Sequence, residues 1–173
     1  MFADPTQNLK QLGLRENMIV ADLGAGTGFY SIAAGHIVTE GKVYAIEVVK
    51  DYLAVIHKKA KDAHLKNIEA IWGNVEKLGG TKIRDHLVDA VIASNILFQV
   101  EDKDKFIEEI KRILKPGGGV LLIDWSDSPA VGSSSHKVIP KNYAREMFEK
   151  KGLIFVRKID AGAHHYGMIF KKQ

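Results

Sequence analysis

The chain has 173 residues, 46% of them hydrophobic and 27% charged, which suits a folded domain with a substantial core. Its net charge of +4, from 25 basic and 21 acidic residues, is only mildly basic, and few aromatics interleave with the lysines, so nucleic-acid recognition has no support. There is no cysteine, which excludes disulfides and any protein thiolate, and no apolar run approaches the ~20 residues of a membrane span.

Asp4-Pro5 reads as a helix N-cap followed by proline in the first turn, and the spacing predicts a helix from Pro5 to Leu12 that stops at Gly13. A short apolar strand, Met18 to Leu23, runs into Asp22 and then glycine at every second position: Gly24, Gly26 and Gly28. An amphipathic helix follows to about Val38. Strand, glycine turn and helix open a nucleotide-binding βαβ unit, because glycine lets the backbone turn tightly and approach a ligand. The spacing is G-x-G-x-G. It is neither the dinucleotide G-x-G-x-x-G nor a phosphate loop, which needs Gly-Lys-Ser/Thr. A carboxylate just before the turn favours a cationic ligand over a pyrophosphate.

The stretch V-A-D-L-G-A-G-T-G-F-Y, Val20 to Tyr30, resembles the first motif of class I S-adenosylmethionine (SAM)-dependent methyltransferases. Later segments extend the resemblance over nearly the whole chain. Lys42 to Glu47 is a second strand ending in an acid, the position that takes ribose hydroxyls in such units. Asp51 to Ala63 is a helix with Tyr52, Leu53, Val55 and Ile56 inward and a solvated lysine face; His57 and His64 are read as surface residues. Ile68 to Trp72 is a third strand, followed by Gly73-Asn74-Val75. The family usually has Gly-Asp there, with the acid accepting from the adenine amino group; the Asn74 amide oxygen keeps that ability.

Leu78 to His86 is a polar connection with room for a short helix. Val88 to Ala93 is a central parallel strand. It leads into Ser94-Asn95-Ile96-Leu97-Phe98, similar to the family segment beside the amino-acid end of SAM. Asp104 to Leu114 is a helix, and Lys115-Pro116-Gly117-Gly118-Gly119 is a family-like stop and turn into a strand at Val120 to Asp124. Trp125 to Val138 is Ser/Gly-rich and is expected to be a mobile loop on the substrate side. A helix from Pro140 to Lys151 and two closing strands, Leu153 to Ile159 and Tyr166 to Phe170, complete the chain.

The resemblance implies one domain, 1–173, of α/β class: a Rossmann-like three-layer αβα sandwich with a seven-stranded, mostly parallel sheet and a reversed C-terminal strand. It implies SAM as cofactor. Carried over residue by residue, Asp22, Gly24, Ala25, Gly26, Gly28 and Tyr30 lie by its methionine part and Glu47 and Val48 by the ribose. Asn74 and Val75 lie by the adenine, and Ser94, Asn95 and Phe98 by the sulfonium. The nearest group is the small-molecule methyltransferases of ubiquinone/menaquinone type, whose members carry an N-terminal helical cap. Only ~20 residues precede the first strand, within the uncertainty of a boundary read from sequence. That points to an open site, a partner chain such as a second copy in a homodimer, or a larger acceptor.

Methyl transfer from a sulfonium needs mainly proximity and orientation, with a base where the acceptor must lose a proton. Asp124, His164 and His165 are the catalytic candidates, with His136 a further base, Tyr166 an orienting hydroxyl and Trp125 a pocket wall. No metal-ligand spacing is present. The expectation is a cytoplasmic enzyme acting on a small-molecule acceptor. A non-catalytic SAM-binding or partner-binding module is the competing reading.

Overall fold

The computed structural model describes residues 4–126 and 138–173. Helix α1 (Pro5–Leu12) starts as its sequence dictates: the Asp4 carboxylate accepts from the Gln7 N–H, and Gly13 closes the helix in the left-handed region at φ +83°. Strand β1 (Ile19–Leu23) leads through the glycine turn into α2 (Phe29–Ile37). The units β2 (Lys42–Glu47), α3 (Lys50–Asp62) and β3 (Ile68–Trp72) follow. Then come β4 (Val88–Ser94), α4 (Lys103–Ile113), β5 (Leu114–Trp125), α5 (Lys141–Lys150), β6 (Leu153–Ile159) and β7 (His165–Lys172).

The seven strands form one sheet in the order β3-β2-β1-β4-β5-β7-β6. All neighbouring pairs from β3 to β5 are parallel, and β7 runs antiparallel to both β5 and β6. This is the α/β sheet with a reversed last strand that the sequence implied. The order reverses between β1 and β4, and in open α/β sheets a ligand crevice lies beyond the carboxyl ends of the strands at that switch.

Alternation along the central strands sends side chains to two cores. Val91 and Ala93 of β4 and Val120 and Leu122 of β5 pack with Phe106, Ile107 and Ile110 of α4 and Phe148 of α5. Ala90 and Ile92 of β4 and Leu121 and Ile123 of β5 face the other way, onto Leu9 of α1 and Tyr30 and Ala34 of α2. Both faces of the sheet are covered by helices, so the central strands are largely apolar on both faces.

Two local expectations change. Lys115-Pro116-Gly117-Gly118-Gly119 is not a turn ahead of the strand but part of β5. Pairing with β4 steps from Val88↔Leu114 to Ala90↔Gly119, and the intervening residues bulge around Gly117 at φ +78°. The connection from Leu78 to His86 contains no helix. Most of the expected loop between Trp125 and Val138, with His136 in it, lies outside the described residues; Trp125 itself closes β5.

Candidate functional site

The carboxyl end of β1 is stitched to that of β2. Gly24, Gly26 and Gly28 have φ of +71°, +53° and +84°, in the left-handed region that a side chain disfavours. The N–H groups of Gly24 and Ala25 both donate to the Ile46 carbonyl, at 2.9 and 3.0 Å. A Cβ on Gly24 would fall 2.1 Å from Ile96 Cδ1, so the post-β4 segment approaches the turn as closely as glycine permits.

Glu47, the last residue of β2, is 7% exposed. Its Oε2 accepts from the Gly26 N–H at 2.8 Å, and its Oε1 accepts from the N–H groups of Val48 and Val49 at 2.8 and 2.9 Å. The carboxylate therefore shapes the turn and faces the crevice together. Beyond β3, the Gly73 N–H donates to the Glu47 carbonyl, and the Asn74 amide oxygen accepts from the Glu76 N–H at 2.9 Å.

These groups line a cleft of about 360 Å³, a size that suits a nucleoside-bearing ligand. Of the expected cofactor residues, Gly24, Gly26, Glu47, Val48, Asn74 and Val75 line it. Ile46, Val49, Tyr52, Gly73, Glu76, Ile96, Gln99 and Val100 complete the wall. All but Tyr52 and Val100 are chain neighbours of a motif residue, so motif position alone could have suggested the rest. Lining by Val48, Val49 and Tyr52 also explains why they are exposed, at 53%, 43% and 42%.

The remaining expected residues are not among the lining. Asp22 is 2% exposed, behind the turn, with its Oδ2 accepting from the Ser31 hydroxyl at 2.6 Å. Burial pushes its carboxyl up to about 6, against the pull of the Ser31 hydrogen bonds. Ala25 packs with Ala45 and Ile56. Gly28 backs onto Ile56, which a Cβ would meet at 3.0 Å. Tyr30 is 5% exposed in the core, and its hydroxyl accepts from Asn8 Nδ2 at 2.9 Å and hydrogen-bonds Ser94. Asn8, which the sequence did not single out, thus ties α1 to the start of α2.

On the far side of the 95–100 turn lies a second polar group. Asp124 is 1% exposed; its Oδ1 accepts from the Trp125 N–H at 2.8 Å and its Oδ2 from the Phe98 N–H at 3.3 Å. Burial pushes its carboxyl up to about 6, opposed by the N–H groups of Trp125, Phe98 and Leu97 and by nearby His165. The His165 ring lies against Trp125, with centroids 4.3 Å apart. The two neighbouring histidines separate: His164 is exposed in the turn before β7 at φ +65°, while His165 begins the strand opposite Trp125. Among the described residues, no three His, Asp or Glu side chains converge as a metal site requires, and no helix is long and apolar enough to cross a membrane.

Residues 14–171 match the model of a methyltransferase domain. The chain belongs to that methyltransferase-domain family. Among solved structures, a SAM-dependent methyltransferase from Aquifex aeolicus superimposes with a TM-score of 0.88 at 29% identity, over 99% of this chain and 91% of that one. A demethylmenaquinone methyltransferase of Bacillus mycoides is 28% identical over 83% of this chain. A ubiquinone/menaquinone biosynthesis C-methyltransferase of Haemophilus ducreyi is 34% identical over 66% of it. The chain spans 60% and 44% of the lengths of those two relatives.

Proposed function

We propose that this chain, as one domain over 1–173, transfers a methyl group from SAM to a small-molecule acceptor. The observation that carries the reading is the cleft itself. A left-handed glycine turn, an acid at the end of β2 and the Asn74-Val75 pair meet in one crevice at the sheet's switch point. The relatives named for quinone methylation support a small acceptor.

SAM, when bound, supplies a methyl group already activated by a sulfonium leaving group. Glu47 would accept from the ribose hydroxyls; two of its lone-pair positions are fixed by Val48 and Val49 and one by Gly26, so the carboxylate arrives pre-oriented. Asn74 Oδ1 would accept from the adenine amino group beside its bond from Glu76, and Val75 and Val100 would give the base an apolar seat. Asp22 would act from behind the turn as a negative charge favouring the ammonium and sulfonium.

Isothermal titration with SAM and with its demethylated product, S-adenosylhomocysteine, tests the reading. Saturable binding of both is expected, and absence of binding at millimolar ligand would overturn it. Glu47→Ala is expected to weaken binding by about 1–3 kcal/mol through the lost charged hydrogen bonds. Wild-type affinity in that variant would remove Glu47 from the ribose.

A further inference from the structure

Among the described residues, two buried side-chain atoms in the 95–165 region lack a hydrogen-bond partner: Asn95 Oδ1 and His165 Nε2. An unpaired buried polar atom is costly, so each of these needs a reason. The backbone of Asn95 is pinned on both sides: its N–H donates to the Ile123 carbonyl at 2.8 Å and its carbonyl accepts from Gln99 Nε2 at 2.8 Å. It also holds φ +53°, an uncommon conformation for a residue with a side chain. The carboxamide is therefore held where it is by the chain rather than by a partner of its own.

His165 is fixed as firmly. Its Nδ1 lies 2.9 Å from the Ala163 carbonyl, and a carbonyl only accepts, so Nδ1 carries the proton in the neutral ring. Nε2 then presents a lone pair. The ring lies against Trp125, tilted 32° to the indole, which restricts its turning. Both orphan atoms are thus hydrogen-bond acceptors. They flank the end of β5, where Ser94 of β4 is level with Ile123 and His165 of β7 is level with Trp125. Two strand spacings separate their backbones, about 10 Å. Between them sits the buried Asp124, whose carboxylate oxygens are committed to the backbone of Trp125 and Phe98. The other side of the 95–100 turn, through Ile96 and Val100, walls the cofactor cleft.

We propose that the methyl acceptor binds over the end of β5 through an O–H or N–H donor, with His165 Nε2 as the base that takes its proton and Asn95 Oδ1 as a second acceptor. This rests on the methyltransferase reading above. In the step, the heteroatom's lone pair forms the bond to the methyl carbon and its proton passes to Nε2. The carbon–sulfur bond breaks with its electron pair left on sulfur, which becomes a neutral thioether, and the imidazolium later releases its proton to water. Two acceptors beside a buried carboxyl disfavour an anionic ligand such as a carboxylate or phosphate, which would bring no donor and a repelled charge. Asp124 is a positioning residue here: it holds the 95–98 turn through the Phe98 N–H and the end of β5 through the Trp125 N–H. His164 has no part.

The test uses the full chain saturated with S-adenosylhomocysteine, whose own binding by calorimetry reports on the parent reading separately. In ¹⁵N-histidine-labelled protein with the ring neutral, the His165 shifts should show protonated Nδ1 and bare Nε2; the opposite tautomer overturns the proposal. The probe pair is 4-nitrophenol, which has a donor, and 4-nitroanisole, which has none. Saturable binding of the phenol is expected, with its absorbance moved toward the phenolate, and the anisole should not compete. His165→Gln should weaken phenol binding roughly tenfold or more while holding S-adenosylhomocysteine affinity within about twofold, which shows the variant is folded. Asn95→Gly, which accommodates the left-handed backbone, should also weaken it. Equal binding of both probes, no saturable phenol binding, or wild-type phenol affinity in His165→Gln would each overturn the assignment.

Discussion

Asp22 is a carboxylate almost sealed from solvent, held by the hydroxyl and N–H of Ser31. Its carboxyl is raised to about 6 from an ordinary 3.8, so the folded protein binds that proton more tightly than the unfolded chain. The stabilising contribution of the protonated group is full below about pH 4 and is lost as pH rises through about 6. At neutral pH the buried charge is therefore a cost of folding, on the order of 2–3 kcal/mol. Asp22→Asn should raise urea stability at pH 7.5 more than at pH 4, while weakening SAM binding at pH 7.5; equal stability changes at both pH values would show that Asp22 is not buried as a charge. Wild-type SAM affinity should likewise fall below about pH 6 as the charge is lost. Gly24 is the complementary case, set by space rather than charge. Gly24→Ala places a Cβ against Ile96 at a backbone angle alanine disfavours, so a loss of about 1–3 kcal/mol is expected in denaturant melts, along with loss of SAM binding.

At the scale of elements, α4 fastens the connection between β3 and β4 through Glu109 and Arg112. Glu109 is fully buried, and its two oxygens accept from the N–H groups of Gly79 and Thr81, the Thr81 hydroxyl and the Arg112 guanidinium. That arrangement replaces the short helix the composition of 78–86 allowed. Glu109→Ala leaves the N–H groups of Gly79 and Thr81 without their acceptor, while Arg112 keeps Asp85 and the Ile83 carbonyl, and a loss of about 1–3 kcal/mol is expected on chemical unfolding. Nothing in the sequence signalled this role for Glu109, since its partners are some thirty positions away and meet it only once α4 has docked. The same holds for α3. Tyr52 and Val55 share the apolar spacing of Ile56, yet Ile56 alone is fully buried, because α3 packs on the sheet through a narrow stripe and turns Tyr52 to the cleft.

For the whole molecule, the cleft is assembled from the ends of β1, β2, β3 and the turn after β4, which are separate in the chain and brought together by the strand order. A ligand that bridges them stabilises the folded state by mass action, so the melting temperature should climb with SAM concentration, with about 2.7 kcal/mol gained at one hundred times the dissociation constant. A melting temperature unmoved by saturating SAM would argue against a site built across these strands.

The chain by itself determined what depends on local physics. Strands Ile19–Leu23, Lys42–Glu47 and Val88–Ser94 read as apolar runs, Gly13 as a helix stop and the three glycines as a tight turn, because each follows from side chains and backbone freedom within a few residues. Glu47 was legible for the same reason, as the acid closing an apolar strand. Only the tertiary structure decided which motif residues face a ligand. Tyr30 went inward to Asn8, Asp22 behind the turn to Ser31, and His165 parted from His164 to stack on Trp125. Those outcomes depend on helix docking and on the register of β7 against β5, contacts between residues far apart in sequence whose geometry no single segment contains.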